Sequence, residues 1–178
     1  MPDPSNKTQK NQALAQQFLD TSTDPERLAW AHMIMGLSHE DELAWEAAVD
    51  SYSKGIACNP GDPRTRYFCN NNLAFCLIQL GRFQEARPYC VAAIDVDPER
   101  HNAHKNLGLA RQGLGQFPDA AVCFVNASRL WPGDPRAMWF LEQLVAAHPE
   151  ILSESEQLRR AVERLRGSVE AGGHARIQ

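Results

Sequence analysis

Small and apolar residues recur along this chain in a five-point pattern that appears three times. A small residue (Gly36, Ala74, Gly108) is followed by Ala48, Ala86 and Ala120, then by Tyr52, Cys90 and Phe124. Gly55, Ala93 and Ala127 come next, and Pro60, Pro98 and Pro132 close each copy. The offsets from the small residue are 12, 16, 19 and 24 in every copy, and the start points are 38 and then 34 residues apart. A period near 34 with small residues at helix crossings predicts an all-α solenoid of stacked helix pairs. Such an architecture acts by holding another chain in a groove.

The same pattern divides the chain. Residues 1–23 form a polar N-terminal segment, mobile over roughly its first ten positions, with a short helix at Ala13–Leu19. Thr23-Asp24-Pro25-Glu26 reads as a helix start, with Thr23 as the cap. The repeat domain covers residues 24–148, with repeats at about 29–60, 63–98 and 101–132 and a capping helix at 135–147. Gly81 and Gly115 mark the turns inside the second and third pairs. The first pair has no turn glycine, and its break falls near His39 to Glu42, read as a solvated polar turn. Asp62 and Pro63 open a lengthened first helix in the second repeat. Pro88, deep in the following helix, removes one backbone bond and predicts a bend. Ser153 to Glu156 reads as a capping box opening a helix within 149–167, whose Leu158, Val162 and Leu165 make one narrow apolar face. Residues 168–178, with Gly172 and Gly173, read as a disordered tail.

Composition narrows the function. The 178 residues suit one domain with a continuous core, and a net charge of -4 gives no basic footprint for nucleic acid. No apolar run approaches the roughly 20 residues of a membrane span, and the N-terminus lacks a secretory apolar stretch. Five cysteines without a C-x-x-C pair argue against a disulfide framework or structural zinc. They read as buried thiols in a reducing cytoplasm.

Asn72-Leu73-Ala74, Gly81-Arg82-Phe83, Glu85-Ala86 and Asp97-Pro98 resemble the tetratricopeptide repeat, as do Asn106-Leu107-Gly108, Leu114 to Phe117, Asp119 to Ala121 and Pro132. The first repeat matches through Met35-Gly36, Trp45 and Glu46 to Ala48. The resemblance implies a right-handed superhelical solenoid of three helix-turn-helix repeats with flanking helices. It implies a general interaction scaffold and leaves the biological process open.

In that family the first helix of each pair lines a concave groove. Carried onto this chain, the resemblance places Trp30, Met33, Phe68, Asn71, Asn72 and Phe75 in the groove, with Asn102, Lys105, Asn106, Leu109 and Trp139 further along. Asn72 and Asn106 stand where the family often uses an amide to bond a peptide backbone, since an amide donates and accepts at once. Trp30, Met33, Phe68, Phe75 and Trp139 offer an apolar wall suited to a ligand with apolar side chains. The alternative is that some of them pack on the N-terminal helix or a neighbouring repeat.

Two subtypes can be compared. Domains that grip acidic chaperone tails use Lys and Asn at the positions that here hold Met33 and Leu37, Asn at that of Asn72, and Lys and Arg at those of Asn102 and Asn106, so only Asn72 matches. The three-repeat length and apolar groove are also similar to chaperones of type III secretion translocators. The sequence shows no metal-ligand spacing, nucleophile elbow, phosphate loop or dinucleotide fingerprint. His101 and His104 lie one turn apart without an acidic partner at ligand spacing. The expectation is therefore a non-enzymatic cytoplasmic adaptor, without cofactor or metal, that binds a partner peptide. The competing reading is a homo-oligomeric scaffold assembled through the terminal helices.

Overall fold

The computed structural model describes residues 4–174. All regular structure among them is helical, as the sequence predicts: α1 (Pro4–Thr21), α2 (Pro25–Asp41), α3 (Trp45–Ala57), α4 (Pro63–Gln79), α5 (Phe83–Val96), α6 (His101–Gly113), α7 (Phe117–Leu130), α8 (Pro135–Ala147), α9 (Glu150–Glu154) and α10 (Glu156–His174). The chain divides into two compact units, Met1–Asp97 and Pro98–Gln178.

The first unit holds two helix pairs, α2 with α3 and α4 with α5. Helix α1 packs on α2, and α3 packs on α4. The recurring small residues decide how closely each pair approaches. A Cβ placed on Gly36 would lie 2.6 Å from the ring of Tyr52, sixteen residues on, so only glycine lets that ring seat. The second repeat carries Ala74 and Cys90 at those positions, both fully buried. The larger small residue accompanies the smaller partner, which conserves volume at the crossing.

Helix starts follow local chemistry. Asp62 accepts from the backbone N–H of Arg64 and Thr65, with Pro63 in the first turn, as expected. The cap of α2 is Asp24, which accepts from Glu26 N, and Thr23 lies outside it. Helix α1 is longer than the Ala13–Leu19 stretch, and it is held from both inside and outside that stretch. Gln12 bonds the Ser38 hydroxyl at 2.7 Å and Ala15 is fully buried. Helix α5 runs through Pro88 uninterrupted, with the ring on its exposed side.

The first helix pair does have its left-handed turn residue, and it is Leu43. Leu43 stands seven residues after Gly36, the same offset as Gly81 after Ala74 and Gly115 after Gly108. Its φ is 57°, against 72° and 73° for the two glycines. The turn is set by helix packing on both sides and imposes the conformation on a residue that does not favour it.

The second unit pairs α6 with α7. Helices α8 and α10 both pack on α7, and α9 joins them. Ala120, Ala121, Phe124, Leu141, Leu144, Ile151, Leu158 and Val162 form its core. Ser155, rather than Ser153, heads α10, and its Oγ accepts from Leu158 N at 3.2 Å. Helix α10 continues past Arg166 to His174, beyond where the sequence placed the start of a disordered tail; positions 175–178 lie outside the described residues.

Candidate functional site

In the first unit the sequence-chosen residues stand on α2 and α4, and a polar chain links the two helix pairs beneath them. Tyr52, fully buried on α3, must satisfy its hydroxyl inside the fold. That hydroxyl donates to Glu40 Oε1 on α2 and accepts from Asn72 Nδ2 on α4 at 3.3 Å. Asn71 Nδ2 in turn donates to Asn72 Oδ1 at 2.9 Å. The Asn72 amide is thereby oriented from both ends and half-buried. It keeps one N–H and one lone pair beyond these bonds.

Glu40 corrects the solvated-turn reading of His39 to Glu42. It belongs to α2 and turns inward. Burial holds its carboxyl above the usual range, while bonds from Tyr52 and the Cys76 thiol pull the other way. Burial, then the bond and charge of Glu40, holds the Tyr52 phenol far above its ordinary value. Periodicity flagged Tyr52 as a packing position but could not show where its hydroxyl goes.

The aromatic wall of this unit divides by partner. Trp30 meets Phe18 of α1 edge-on at 5.8 Å, so the N-terminal helix takes part of it. Phe75 meets Trp45 edge-on at 5.9 Å. Phe68 packs edge-on against Tyr67 at 5.5 Å, with the Arg64 guanidinium over its ring. Met33, Phe68 and Phe75 remain half-buried.

In the second unit, Asn106 is 2% exposed and Lys105 8% exposed on α6. Leu109 packs against the core of this unit and contributes there. Asn102 is half-buried and accepts from Lys105 Nζ at 3.1 Å. Trp139 is 58% exposed on α8, touching only the edge of Phe140 among the ring contacts. The two neighbouring histidines serve different partners. His101 stacks on Trp131 and reaches Asp134 at 3.2 Å, whereas His104 Nε2 meets the Pro98 carbonyl at 2.8 Å. Among the described residues, no three His, Cys, Asp or Glu side chains come together as a metal set. Four cysteines are buried and Cys58 is half-buried, with the Cys69 thiol pushed up to about 12 by burial.

The family model for the tetratricopeptide repeat matches residues 77–112, spanning the end of α4, α5 and most of α6. That stretch is a tetratricopeptide repeat. The chain is 30% identical over 109 residues to small glutamine-rich tetratricopeptide repeat-containing protein 2 of Mycosarcoma maydis, a match covering 61% of this chain and 29% of that protein. It spans no more than 29% of the length of the curated relatives it matches. Among solved structures it resembles the Hsp90 co-chaperone Cns1 of Saccharomyces cerevisiae, with TM-score 0.69, 20% identity, and coverage of 85% of this chain and 49% of that one. It also resembles the first repeat domain of Spaghetti (RPAP3) bound to an HSP90 peptide, with TM-score 0.62, 22% identity, and coverage of 68% and 94%. These structural likenesses establish the fold. No described helix is long and apolar enough to cross a membrane.

Proposed function

We propose that this module is an adaptor that captures a partner peptide bearing apolar side chains on the faces of its first helices, α2 and α4 in one unit, α6 and α8 in the other. The observation that carries the reading is Trp139. An indole left 58% exposed on a helix whose other large apolar residues are buried or half-buried is unusual for a surface without a ligand. Asn72 supports it, since its amide is held in place by Tyr52 and Asn71 and retains hydrogen-bonding capacity. The HSP90 peptide bound by the first domain of Spaghetti gives peptide binding a precedent within the fold. A short motif held this way binds near micromolar, about -8 kcal/mol. The free thiols suit a reducing cytoplasm.

The described side chains of α10 do not favour the competing scaffold reading. Leu158 and Val162 are buried in the core of the second unit, and Arg166 forks onto Glu142 of α8 at 2.8 and 2.6 Å. The outward side of α10 carries Arg159, Arg160, Glu163 and Arg164, a mixed-charge face.

The test is selection from a random peptide display library with wild type beside Trp139→Ala and Asn72→Ala. Trp139 is exposed and costs little fold when truncated, so it is the cleaner probe. The reading expects families of apolar-containing peptides on wild type that bind Trp139→Ala at least about tenfold more weakly. Peptides that bind all three proteins equally would overturn it.

A further inference from the structure

A chain of hydrogen bonds ties the Asn72 amide to a carboxyl on another helix pair. Glu40 of α2, Tyr52 of α3 and Asn72 of α4 meet through one hydroxyl. That hydroxyl has a single proton, which it donates to Glu40 Oε1. Toward Asn72 it can therefore only accept, and Asn72 Nδ2 supplies the N–H at 3.3 Å. Asn72 Oδ1 is left to face Asn71, whose Nδ2 donates to it at 2.9 Å. Each bond thus has a direction, and the direction is set at the Glu40 end, because a carboxylate has no proton to give and must be donated to.

A proton on Glu40 removes that constraint. A carboxylic acid can itself donate to the phenol oxygen, which frees the phenol proton to swing toward Asn72. There it meets the Asn72 N–H, so donor faces donor. The amide then either loses its bond to Tyr52 or turns over and sets its N–H against the Asn71 donor. In both cases it is held at one end only. Glu40 is the member of the chain that changes charge on the acid side of neutrality. Tyr52 from α3 and the Cys76 thiol from α4 face it, and burial first, then Glu40 itself, holds both well above their ordinary values, so both keep their protons. Asp41 on α2 adds a like charge, and α1 meets this end of α2 through the neutral Gln12–Ser38 pair.

We propose that Glu40, acting through Tyr52, is a positioning residue for Asn72: its carboxylate locks the amide in the orientation that a bound peptide meets, and capture of the peptide is thereby linked to release of a proton. The inference rests on the groove reading and adds a regulator to it. The linkage has a definite sign. A peptide that needs the locked amide binds the ionised form, so affinity is full above the Glu40 titration and falls as pH drops through it, where binding expels a proton. The fold favours the neutral carboxyl and the ligand the ionised one, so the two oppose each other at one group.

The experiment has a ligand-free arm and a ligand arm. In the free protein, NMR follows the Asn72 side-chain amide across the acid range. Its signals move with the same midpoint as the Glu40 carboxyl carbon in wild type, and lose that movement in Tyr52→Phe. This variant keeps the ring that packs on Gly36, as Phe124 packs on Gly108 in the third repeat, so it retains the fold. In the ligand arm, peptides selected on wild type from the display library at neutral pH, then synthesised with capped ends and without Asp, Glu or His, are titrated by calorimetry. Wild-type affinity falls about threefold to tenfold on acidification. Glu40→Gln, whose amide oxygen still accepts from Tyr52, stays at the neutral-pH affinity throughout, and Tyr52→Phe stays at the lower one. The six histidines titrate in all three proteins, so the differences belong to Glu40. An Asn72 amide that ignores the Glu40 titration, or a wild-type affinity profile parallel to that of Glu40→Gln, overturns the linkage and leaves the groove reading intact so long as the peptides still need Trp139 and Asn72. Peptides indifferent to Trp139 and Asn72, or no selected peptides at all, overturn the groove reading and the linkage with it, even where the amide follows Glu40.

Discussion

The ring of Phe124 occupies the space that a side chain on Gly108 would need. A Cβ on Gly108 would lie 2.5 Å from Cε1, and Phe124 is fully buried on α7, so its ring has nowhere to retreat. Gly36 and Tyr52 repeat the relationship on α2 and α3. Gly108→Ala is therefore expected to lower stability by about 1–2 kcal/mol, because overpacking of about 1–3 kcal/mol outweighs a helix-propensity gain of about 1. With Phe124→Leu in the background the same substitution should become neutral or stabilising. Denaturant melts of the four proteins in the cycle measure the coupling, and an unchanged effect of Gly108→Ala in the Leu background counts against the contact.

Leu43 holds a conformation that its sister positions give to glycine. It is 68% exposed, so its side chain contributes little packing. Leu43→Gly is expected to stabilise the protein by about 1 kcal/mol by relieving the left-handed backbone. Gly81→Ala, at φ 72° with no atom near its Cβ, should cost about 1 kcal/mol for the opposite reason. Thermal unfolding of both variants gives the comparison; a loss of stability in Leu43→Gly would mean the leucine makes an interaction worth more than the strain.

Glu40 makes stability depend on pH. Burial raises its folded-state value above the ordinary 4.5. The stability it contributes is fully present below 4.5 and is lost as pH rises through the raised value, where the buried carboxyl must ionise. Glu40→Gln keeps an acceptor for Tyr52 and removes that cost. Its Tm should exceed wild type at pH 7, with the gap closing as the pH falls towards 4.5. A gap that widens in acid would show that the ionised carboxylate is the favoured partner of Tyr52.

Val162 joins α10 to the second unit. It is fully buried among Leu158, Leu144 and their neighbours. Val162→Ala should cost about 2 kcal/mol, and sedimentation should give the same oligomeric state as wild type. A change of mass with little change in stability would assign the apolar face of α10 to a second copy of the chain.

The parts legible in sequence share a physical cause. Helix pairing needs small residues at crossings, apolar residues at 3.6-residue spacing and caps at the ends, and each leaves a local mark such as Gly108 with Phe124 or Asp62 with Pro63. Those marks were enough for the all-α helix-pair repeat. They failed where a mark is absent or ambiguous. Leu43 carries no signal of a left-handed turn, because the packing of α2 on α3 imposes it. Ser153 and Ser155 offer competing capping patterns, and the position of α9 chose Ser155.

What the sequence by itself determined is the repeat, the helix pairs and the set of residues on their first helices. What only the tertiary structure decided is which of those residues are spent. Leu109 packed against the core, Trp30 met Phe18, and Asn72 was bound into a chain with Tyr52 and Glu40. Trp139 was left bare and Lys105 was buried without a carboxylate. The reason is that periodicity fixes the side of a helix on which a residue stands, whereas burial and pairing depend on groups brought from distant positions. Glu40 and Tyr52 are twelve residues apart, and the whole of α7 lies between Lys105 and Asp134.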